Sequence, residues 1–579
     1  MIKIKIERIK KYQSFRKGSI LAFMVIALII LAILGLGILD VAFGVRRQAI
    51  VLKNETSAML AAEAGYERAI FWMEQQPDVI SSLAAAGGTA TGSKTFTSNN
   101  SSYDYTIIRN TVPAGARVVY RIVSNGHCGT SNRTVRVLVM QAVSGWDMGL
   151  CRVPSGTSST TQVYFKTGEI LDIPIHINKY NDSPDVADIY IQGTPRFLQE
   201  VNMGESKGSK YNGIMGLFEG GISFDQPDSK ITDESVITAK VNRFAAMAAY
   251  KYTPAYPSNW SSWSSKVTNP APAVQLEFFV DNFGVGKVRI TNNCVVRGYT
   301  SVSPAIYDYA IKPGTSGTQY QKYNIYGCHY IPYNTSNPPR DSNIVNIANT
   351  YVTPSYGGSS FGLIYVNGNV IIGSAEENTA AAPAGLGVSL SQLNIVQGNI
   401  CVVATGNIWI ANSLTVAGNR KTGGMPADDN PNMLSLLSGT LGVIKVIDPK
   451  IQQTLAAADI KVGATTYAKY EPTGLKNSTG LPAYTNNRKV LNPMVVEAGI
   501  IVGGGGWGAE NVDSRQESLT PLTVRGTITE RVRGVVGQTK GFLKDYHFDE
   551  RLLEGFIPED MRLKGKYIPV PAGWEDYRP

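Results

Sequence analysis

The sequence predicts an α+β protein in which a long N-terminal helix and a small antiparallel sheet precede a large all-β domain. Three observations support this prediction. Residues 19–39 are uncharged and mostly apolar, helix-forming residues without proline continue to residue 76, and most of the remaining chain consists of short apolar runs separated by glycine and asparagine. Apolar spacings of three and four residues indicate a helix, whereas short apolar runs bounded by turn residues indicate strands.

Residues 1–18 form a basic leader that carries seven lysine and arginine residues against one glutamate. The uncharged run that follows, residues 19–39, is about 31 Å long as a helix, enough to cross a hydrocarbon core about 30 Å thick. We therefore predict the transmembrane half of the helix at 19–39. The positive charge of the leader predicts that residues 1–18 stay in the cytoplasm. The residues after the transmembrane half are then exported across the inner, cytoplasmic membrane.

The apolar run does not fit a cleaved secretory signal. Such a signal has an apolar region of about 7 to 15 residues followed by a small-residue cleavage site. Here the run is longer, no such site follows it, and the first cysteine, Cys128, is too distant for a lipoprotein signal. A permanent membrane anchor with a stalk remains one interpretation, and a helix built for assembly with other helices is another.

Residues 40–76 are predicted to form the amphipathic half of the same helix, giving one rod over 19–76 about 87 Å long. Pro77 is expected to end it, because proline lacks the backbone donor that a helix requires. Five apolar residues, here called the helix stripe, recur at spacings of three and four and therefore share one face: Met59, Ala62, Tyr66, Ala69 and Met73.

The leader ending in Gly18, the apolar helix from Ser19 and the segment AAEAGYERA at residues 61–69 resemble a type IV prepilin, specifically PilX-type pilus assembly proteins and minor pilins. This resemblance covers about residues 16–76. It implies cleavage between Gly18 and Ser19 by prepilin peptidase, methylation of the new amine, and contacts with major and minor pilins and the inner-membrane assembly platform. The residues assigned on this basis to helix assembly are Phe23, Met59, Ala62, Glu63, Gly65, Tyr66, Ala69 and Met73.

Phe23 departs from the major-pilin pattern. Major pilins carry a glutamate as the fifth mature residue, which pairs with a neighbouring subunit's N-terminal amine, and counting from Ser19 places Phe23 there. An unpaired charge in an apolar filament core is costly. The resemblance therefore implies a minor rather than a major subunit. Such a subunit is incorporated into a pilus and in this way reaches the cell surface.

Residues 77–143 are predicted to form a small sheet on the second half of the helix. Strands are expected at 103–109, 117–123 and 134–141, with a hairpin that runs from Asn125 and Gly126 to Asn132. The polar, turn-rich residues 80–102 are expected to form a loop.

Residues 144–545 are predicted to form the large β-rich domain, and residues 546–579 a C-terminal tail. Strands at 364–372, 398–403 and 406–410 are joined at Gly-Asn corners, where both residue types tolerate positive φ. Stacked strands of this kind are expected to give a parallel β-helix-like or layered β architecture.

The charge of the chain does not indicate nucleic-acid binding. The formal net charge is +9, and the leader contributes +6 of it, so the exported residues are nearly neutral. No nucleic-acid partner is expected, and the membrane lipid around one helix is the predicted non-protein partner.

Candidate chemistry is sparse, and we assign no catalytic, cofactor-binding or metal-binding residue. Gly503 to Gly508 match G-x-G-x-x-G, but a strand rather than a helix is expected next, so a glycine-rich surface loop is the better interpretation. Asp545, His547 and Asp549 alternate and would share one face of a strand, a weak metal signal. Cys128 and Cys151 are a possible disulfide in an oxidising compartment.

Three functions follow as hypotheses. The chain is expected to be a minor pilin or pilus assembly protein, whose β domain serves assembly, tip capping or adhesion. The alternative is a membrane-anchored β-helix enzyme or binding protein acting on surface polysaccharide, which requires a cluster of carboxylates that the sequence does not show. A pseudopilin of a type II secretion system is the weaker alternative.

Overall fold

A computed structural model describes most of the chain. The described residues are 3–76, 79, 82–83, 86–110, 119–141, 145–150, 164–179, 189–204, 206, 211–212, 214–229, 233–256, 270–299, 309–310, 318–319, 322–326, 342–353, 360–373, 388–446, 460–462, 465–467, 494–509, 520–537, 541–554 and 567–577.

Helix α1 spans Lys3–Gln75 without a break. The predicted rod over 19–76 is therefore confirmed to within one residue, and the helix also continues back into the leader. Its last turn is closed by the Gln76 amide, which donates to the Met73 carbonyl at 3.2 Å. Pro77 follows directly, at the position where a helix can no longer continue.

The strands and shorter helices are introduced here in chain order. Four strands follow α1: β1 Thr89–Phe96, β2 Ser101–Arg109, β3 Tyr120–Cys128 and β4 Ser131–Gln141. The next strands and helix are β5 Trp146–Leu150, β6 Tyr164–Lys166, β7 Ile170–Asp172, β8 Ile175–Ile177, β9 Ile189–Gln192, β10 Arg196–Phe197, β11 Val201–Met203, β12 Tyr211–Asn212, β13 Ile222–Ser223 and α2 Glu234–Met247. Then come β14 Tyr250–Tyr252, β15 Pro270–Val280, β16 Gly286–Tyr299, β17 Tyr309–Ala310, β18 Thr318–Gln319, β19 Lys322–Tyr326, β20 Ser342–Asn346, β21 Tyr351–Val352, β22 Phe361–Val366, β23 Asn369–Ile372, β24 Ile395–Val396, β25 Asn399–Ala404, β26 Ile408–Ile410 and β27 Thr415–Val416. The last are β28 Met433–Ser438, β29 Ile444–Val446, β30 Ile460–Val462, β31 Thr465–Tyr467, β32 Met494–Val502, β33 Trp507–Ala509, β34 Thr520–Val532, β35 Phe542–Phe548, α3 Arg551–Glu554 and β36 Tyr567–Tyr577.

The sheet beside α1 is antiparallel, in the order β1-β2-β3-β4-β36. The three predicted strands correspond to β2, β3 and β4, although residues 117–118 lie outside the described residues. The predicted loop at 80–102 was wrong in part, because it contains β1. The predicted hairpin exists, but its turn lies at Gly129, where φ is +59°, and not at Asn125 and Gly126, which lie inside β3.

The predicted C-terminal tail is also wrong in part. Strand β36, from that segment, pairs antiparallel with β4 and completes the sheet beside α1. Its register shifts between Pro569 and Trp574, as expected for an edge strand whose prolines cannot donate to a ladder. The two ends of the chain therefore build one sheet, across more than 400 residues of intervening sequence.

Ten strands of the large β-rich domain form one continuous parallel ladder. Their spatial order is β14-β22-β25-β28-β32-β34-β5-β8-β11-β13. A second ladder, β15-β23-β26-β29-β33, is parallel as well. Four successive coils each supply one strand to each ladder. The predicted β-rich architecture of stacked strands at Gly-Asn corners is thus what the structure shows.

The chain enters this stack in its middle. From β5 it winds outwards through β8 and β11 to β13, and α2 then leads to the opposite end at β14. From there it winds back through β22 to β34, which pairs in parallel with β5. The stack therefore has two halves, one from β5 to β13 and one from β14 to β35. They meet where β34 pairs with β5 and where β35 pairs with β7, and we call this meeting the junction.

The main core of the large domain lies between the two ladders. It is almost wholly aliphatic and aromatic, and it includes Trp146, Ile364, Ile408, Leu436 and Ile500. A second apolar cluster lies outside the first ladder, where α2 buries Ile237 and Phe244 against strands β22 and β25. Burial on both faces explains why these strands read as continuous apolar runs.

Asparagine ladders explain the Gly-Asn corners better than positive φ alone. The Asn369 side chain accepts a hydrogen bond from the Asn407 amide at 3.0 Å, and the Asn407 side chain accepts one from the Val443 amide at 3.1 Å. Each asparagine therefore satisfies a backbone donor of the next coil. Gly406 is required beside them, because a β-carbon there would lie 2.5 Å from Asn369 Oδ1.

Candidate assembly helix and its supporting sheet

The covered part of α1 begins at Ala58. From there to Met73 one face of the helix packs on the antiparallel sheet and forms a separate apolar core with it. Four members of the helix stripe are fully or almost fully buried in this core, and Met59 is partly buried. The stripe predicted from spacing alone is thus the face that the chain covers with its own sheet.

Two glycines allow the helix and sheet to approach closely. A β-carbon on Gly65 of α1 would lie 2.1 Å from Ser124 Oγ, and one on Gly126 of β3 would lie 1.9 Å from the Ala58 carbonyl oxygen. The role of Gly65 was predicted only as part of the AAEAG segment. That of Gly126 was missed, because a glycine beside asparagine reads as a turn.

Strand β36 adds aromatic contacts to the same core. Trp574 packs edge-on against Tyr66, with ring centroids 5.1 Å apart, and Tyr567 packs edge-on against Tyr120 at 5.8 Å. Burial, with the nearby Glu67 carboxylate, raises the pKa of Tyr66. Glu67 and Arg68 are exposed, and Glu63 is half-buried at the edge of the helix face.

The first part of α1 is bare. Within the described residues the helix is long and apolar enough to cross a membrane by its length and composition, and its most apolar stretch is not covered by the rest of the chain. Phe23 is 76% exposed. Gly18 and Ser19 lie within the continuous helix.

The bare surface extends well past the predicted membrane boundary at residue 39. Large apolar side chains that remain exposed beyond it are Val41, Phe43, Val45, Ile50, Val51 and Leu52. The stretch with exposed apolar side chains, from Ile20 to Leu52, is about 50 Å long and so exceeds a hydrocarbon core of about 30 Å. Packing on the sheet starts near Ala58, so residues 40–53 of the predicted amphipathic half are exposed.

The other candidate sites are engaged in structural contacts. Gly503 to Gly506 are not a surface loop: they are buried at a corner, where a β-carbon on Gly506 would lie 2.2 Å from the Gly534 amide, and strand β33 follows. Cys128 is a buried free thiol, and Cys151 lies outside the described residues.

The alternating acidic residues near the C-terminus do not converge on one point. Asp549 pairs with Arg551 at 2.6 Å, whereas Asp545 contacts His547 at 3.0 Å. Among the residues that the structure describes, no group of three or more histidine, cysteine, aspartate or glutamate side chains is placed to hold a metal ion.

Three buried carboxylates of the large domain accept hydrogen bonds from donors of the chain itself. Glu530 accepts from Trp146 Nε1 at 2.7 Å and from the Trp507 amide at 2.8 Å. Glu497 accepts from Arg525 at 2.9 Å, and Glu169 from Lys544 at 2.6 Å. These carboxylates hold coils together, and burial raises the pKa of Glu530 to about 7.

No family model matches the chain, and no curated protein matches it either. Among solved structures, the chain is similar to the competence-associated pilin ComZ from Thermus thermophilus, with 11% identity over 91% of this chain and 97% of that one, at a TM-score of 0.24.

Proposed function

We propose that this chain is a minor pilin or pilus assembly protein of a type IV pilus or pseudopilus. The observation that carries the proposal is the division of one helix into two surfaces. The same α1 that is buried on its own sheet from Ala58 to Met73 leaves apolar side chains exposed from Ile20 to Leu52, over a length of about 50 Å. A bilayer covers only about 30 Å of that length.

The remaining uncovered length is consistent with helix-to-helix packing outside the bilayer. Exposed apolar residues beyond position 39, such as Val45 and Leu52, would be buried against the helices of neighbouring pilins once the subunit leaves the membrane. Burial of apolar surface is the main driving force of such association. A simple anchor with a stalk gives no reason for large apolar residues in this stretch.

In this proposal the chain is first held in the inner membrane by α1, with its β domains exported, and then reaches the cell surface in the filament. Prepilin peptidase cuts between Gly18 and Ser19, and the new amine is methylated. Phe23 at the fifth mature position assigns the chain to the minor subunits, because it cannot supply the charge that pairs with a neighbouring amine. The proposed role is assembly, capping or adhesion and not catalysis.

The test is mass spectrometry of the N-terminus of the full-length protein from cells with and without prepilin peptidase. We expect a chain that begins at N-methylated Ser19 only where the peptidase is present. Gly18→Ala is expected to reduce cleavage at least tenfold, because a side chain would obstruct the scissile peptide. Gly37→Ala is the matched control, since nothing lies within 4 Å of Gly37. A chain that keeps its leader in peptidase-containing cells would contradict the proposal.

A further inference from the structure

His547 lies at the junction, between carboxylates from both halves of the large domain. It is on β35, and its register partner on β7 is Asp172, which belongs to the other half of the stack. His547 Nε2 lies 3.0 Å from Asp545 Oδ1, and His547 Nδ1 lies 3.5 Å from Asp172 Oδ2. Each ring nitrogen therefore faces a carboxylate oxygen.

This geometry determines the protonation state that fits the site. A carboxylate only accepts hydrogen bonds, and a neutral imidazole has a single N–H donor. In a neutral ring one nitrogen lone pair would point at a carboxylate lone pair, which is repulsive. Only the imidazolium, with a donor on each nitrogen, satisfies both contacts at once.

Other groups around the site hold the two carboxylates in place. Asp545 also accepts from Thr523 Oγ1 at 2.7 Å, and Asp172 accepts from Gln199 Nε2 at 2.8 Å. A charged neighbour on a third strand is Arg525, the register partner of His547 on β34, which donates to Glu497 at 2.9 Å. The positive charge of Arg525 is thus already paired with a different carboxylate.

We infer that protonated His547 is a pH-dependent staple that joins the two halves of the large domain, so that the junction is tighter at acidic than at alkaline pH. The hydrogen bonds to Asp545 and Asp172 raise the pKa of His547 above its ordinary value of 6.5. The contribution of His547 to stability is therefore complete below about pH 6.5, where this histidine is protonated in the unfolded chain as well. The contribution is lost as pH rises through the pKa of His547 in the folded chain.

The first test measures the titration of His547 in the full-length chain in detergent micelles. Histidine labelled with 13C gives one ring signal for each of four histidines, and the signal missing from His547→Gln identifies residue 547. We expect its midpoint to lie above 6.5 and to fall in Asp172→Asn. A wild-type midpoint at or below 6.5 would overturn the inference.

The second test follows thermal unfolding of the same protein between pH 6 and pH 8.5. We expect the midpoint of the wild type to fall with rising pH, and His547→Gln to lose part of that fall; titrations common to both proteins cancel. The matched control is His176→Gln on β8, where Nε2 contacts the neutral amide of Asn178 at 3.0 Å. Equal pH dependence in the wild type and in His547→Gln would overturn the inference, and Asp172→Asn serves if His547→Gln does not fold.

Discussion

Gly126 on β3 lies directly against the backbone of α1 at Ala58, so close that a β-carbon would come within 1.9 Å of the Ala58 carbonyl oxygen. The obstructing atoms belong to helix backbone, which cannot rotate away as a side chain can. The close approach of helix to sheet at Ala58 therefore depends on the absence of a methyl group at position 126.

Gly126→Ala is expected to lower the free energy of unfolding of the helix-and-sheet domain by about 1–3 kcal/mol, because the helix must move away from β3. The measurement is the thermal unfolding midpoint of the full-length chain in detergent. Gly44→Ala on the bare part of α1 is the control; it meets nothing within 4 Å and should be neutral or slightly stabilising. Equal midpoints for both variants would contradict the close approach.

The returning strand β36 gives a graded pair of predictions. Tyr567 is buried beside Tyr120, so Tyr567→Ala should cost about 3 kcal/mol, as for other large-to-small core changes. Trp574 is 42% exposed and touches Tyr66 only edge-on, so Trp574→Ala should cost about 1 kcal/mol. Unfolding measured in the same detergent compares the free energy lost by the two variants. A larger loss for Trp574→Ala would show that Tyr567 is not the residue through which β36 mainly stabilises the sheet.

The raised pKa of Glu530 predicts that the stability of the folded chain falls between about pH 4.5 and pH 7. Burial raises the pKa of this carboxyl to about 7 from 4.5, so the folded chain holds a proton that the unfolded chain releases. The stabilisation is complete below pH 4.5 and is lost as pH rises through 7, a change of roughly 3 kcal/mol. Unfolding measured at several pH values tests this.

Glu530→Gln should flatten that pH profile. It should also lower stability at pH 5. The side-chain NH2 group of the glutamine is a donor, and it would face either Trp146 Nε1 or the backbone N–H groups of Trp507 and Gly534, which are donors as well. Glu575→Gln, at an exposed side chain, should leave the profile unchanged. An unaltered profile in Glu530→Gln would assign the titration to another group.

The buried pair Lys544 and Glu169 joins the halves of the large domain across the junction. Both side chains are 1% exposed, and Lys544 also lies 5.4 Å from the ring centre of Phe165. Lys544→Met should cost about 3–5 kcal/mol, since it leaves Glu169 charged and buried without this partner. The double variant Lys544→Met with Glu169→Met should recover at least half of the loss. A double variant as unstable as the sum of the two single changes would indicate that the residues do not act as a pair.

Local patterns in the sequence were sufficient for the helix and for the type of the large domain. The continuous helix, the stripe from Met59 to Met73 and the strands at Gly-Asn corners follow from periodicity, which acts over a few residues. Strand β1 was missed because its threonine, glycine and serine residues resemble a loop, and it is held by pairing with β2 along its full length. Neighbouring strands thus overrode local propensity.

The sequence by itself determined that an apolar helix leads into a polar, glycine-rich β protein, because composition and spacing are properties of short segments. Only the tertiary structure decided which surface of α1 is left bare, that β36 returns to the sheet of β4, and that the two halves of the large domain meet at the junction. These features depend on contacts between residues hundreds of positions apart, such as Glu169 with Lys544 and Asp172 with His547. No local pattern encodes such pairs, since their partners are chosen by the packing of the whole chain.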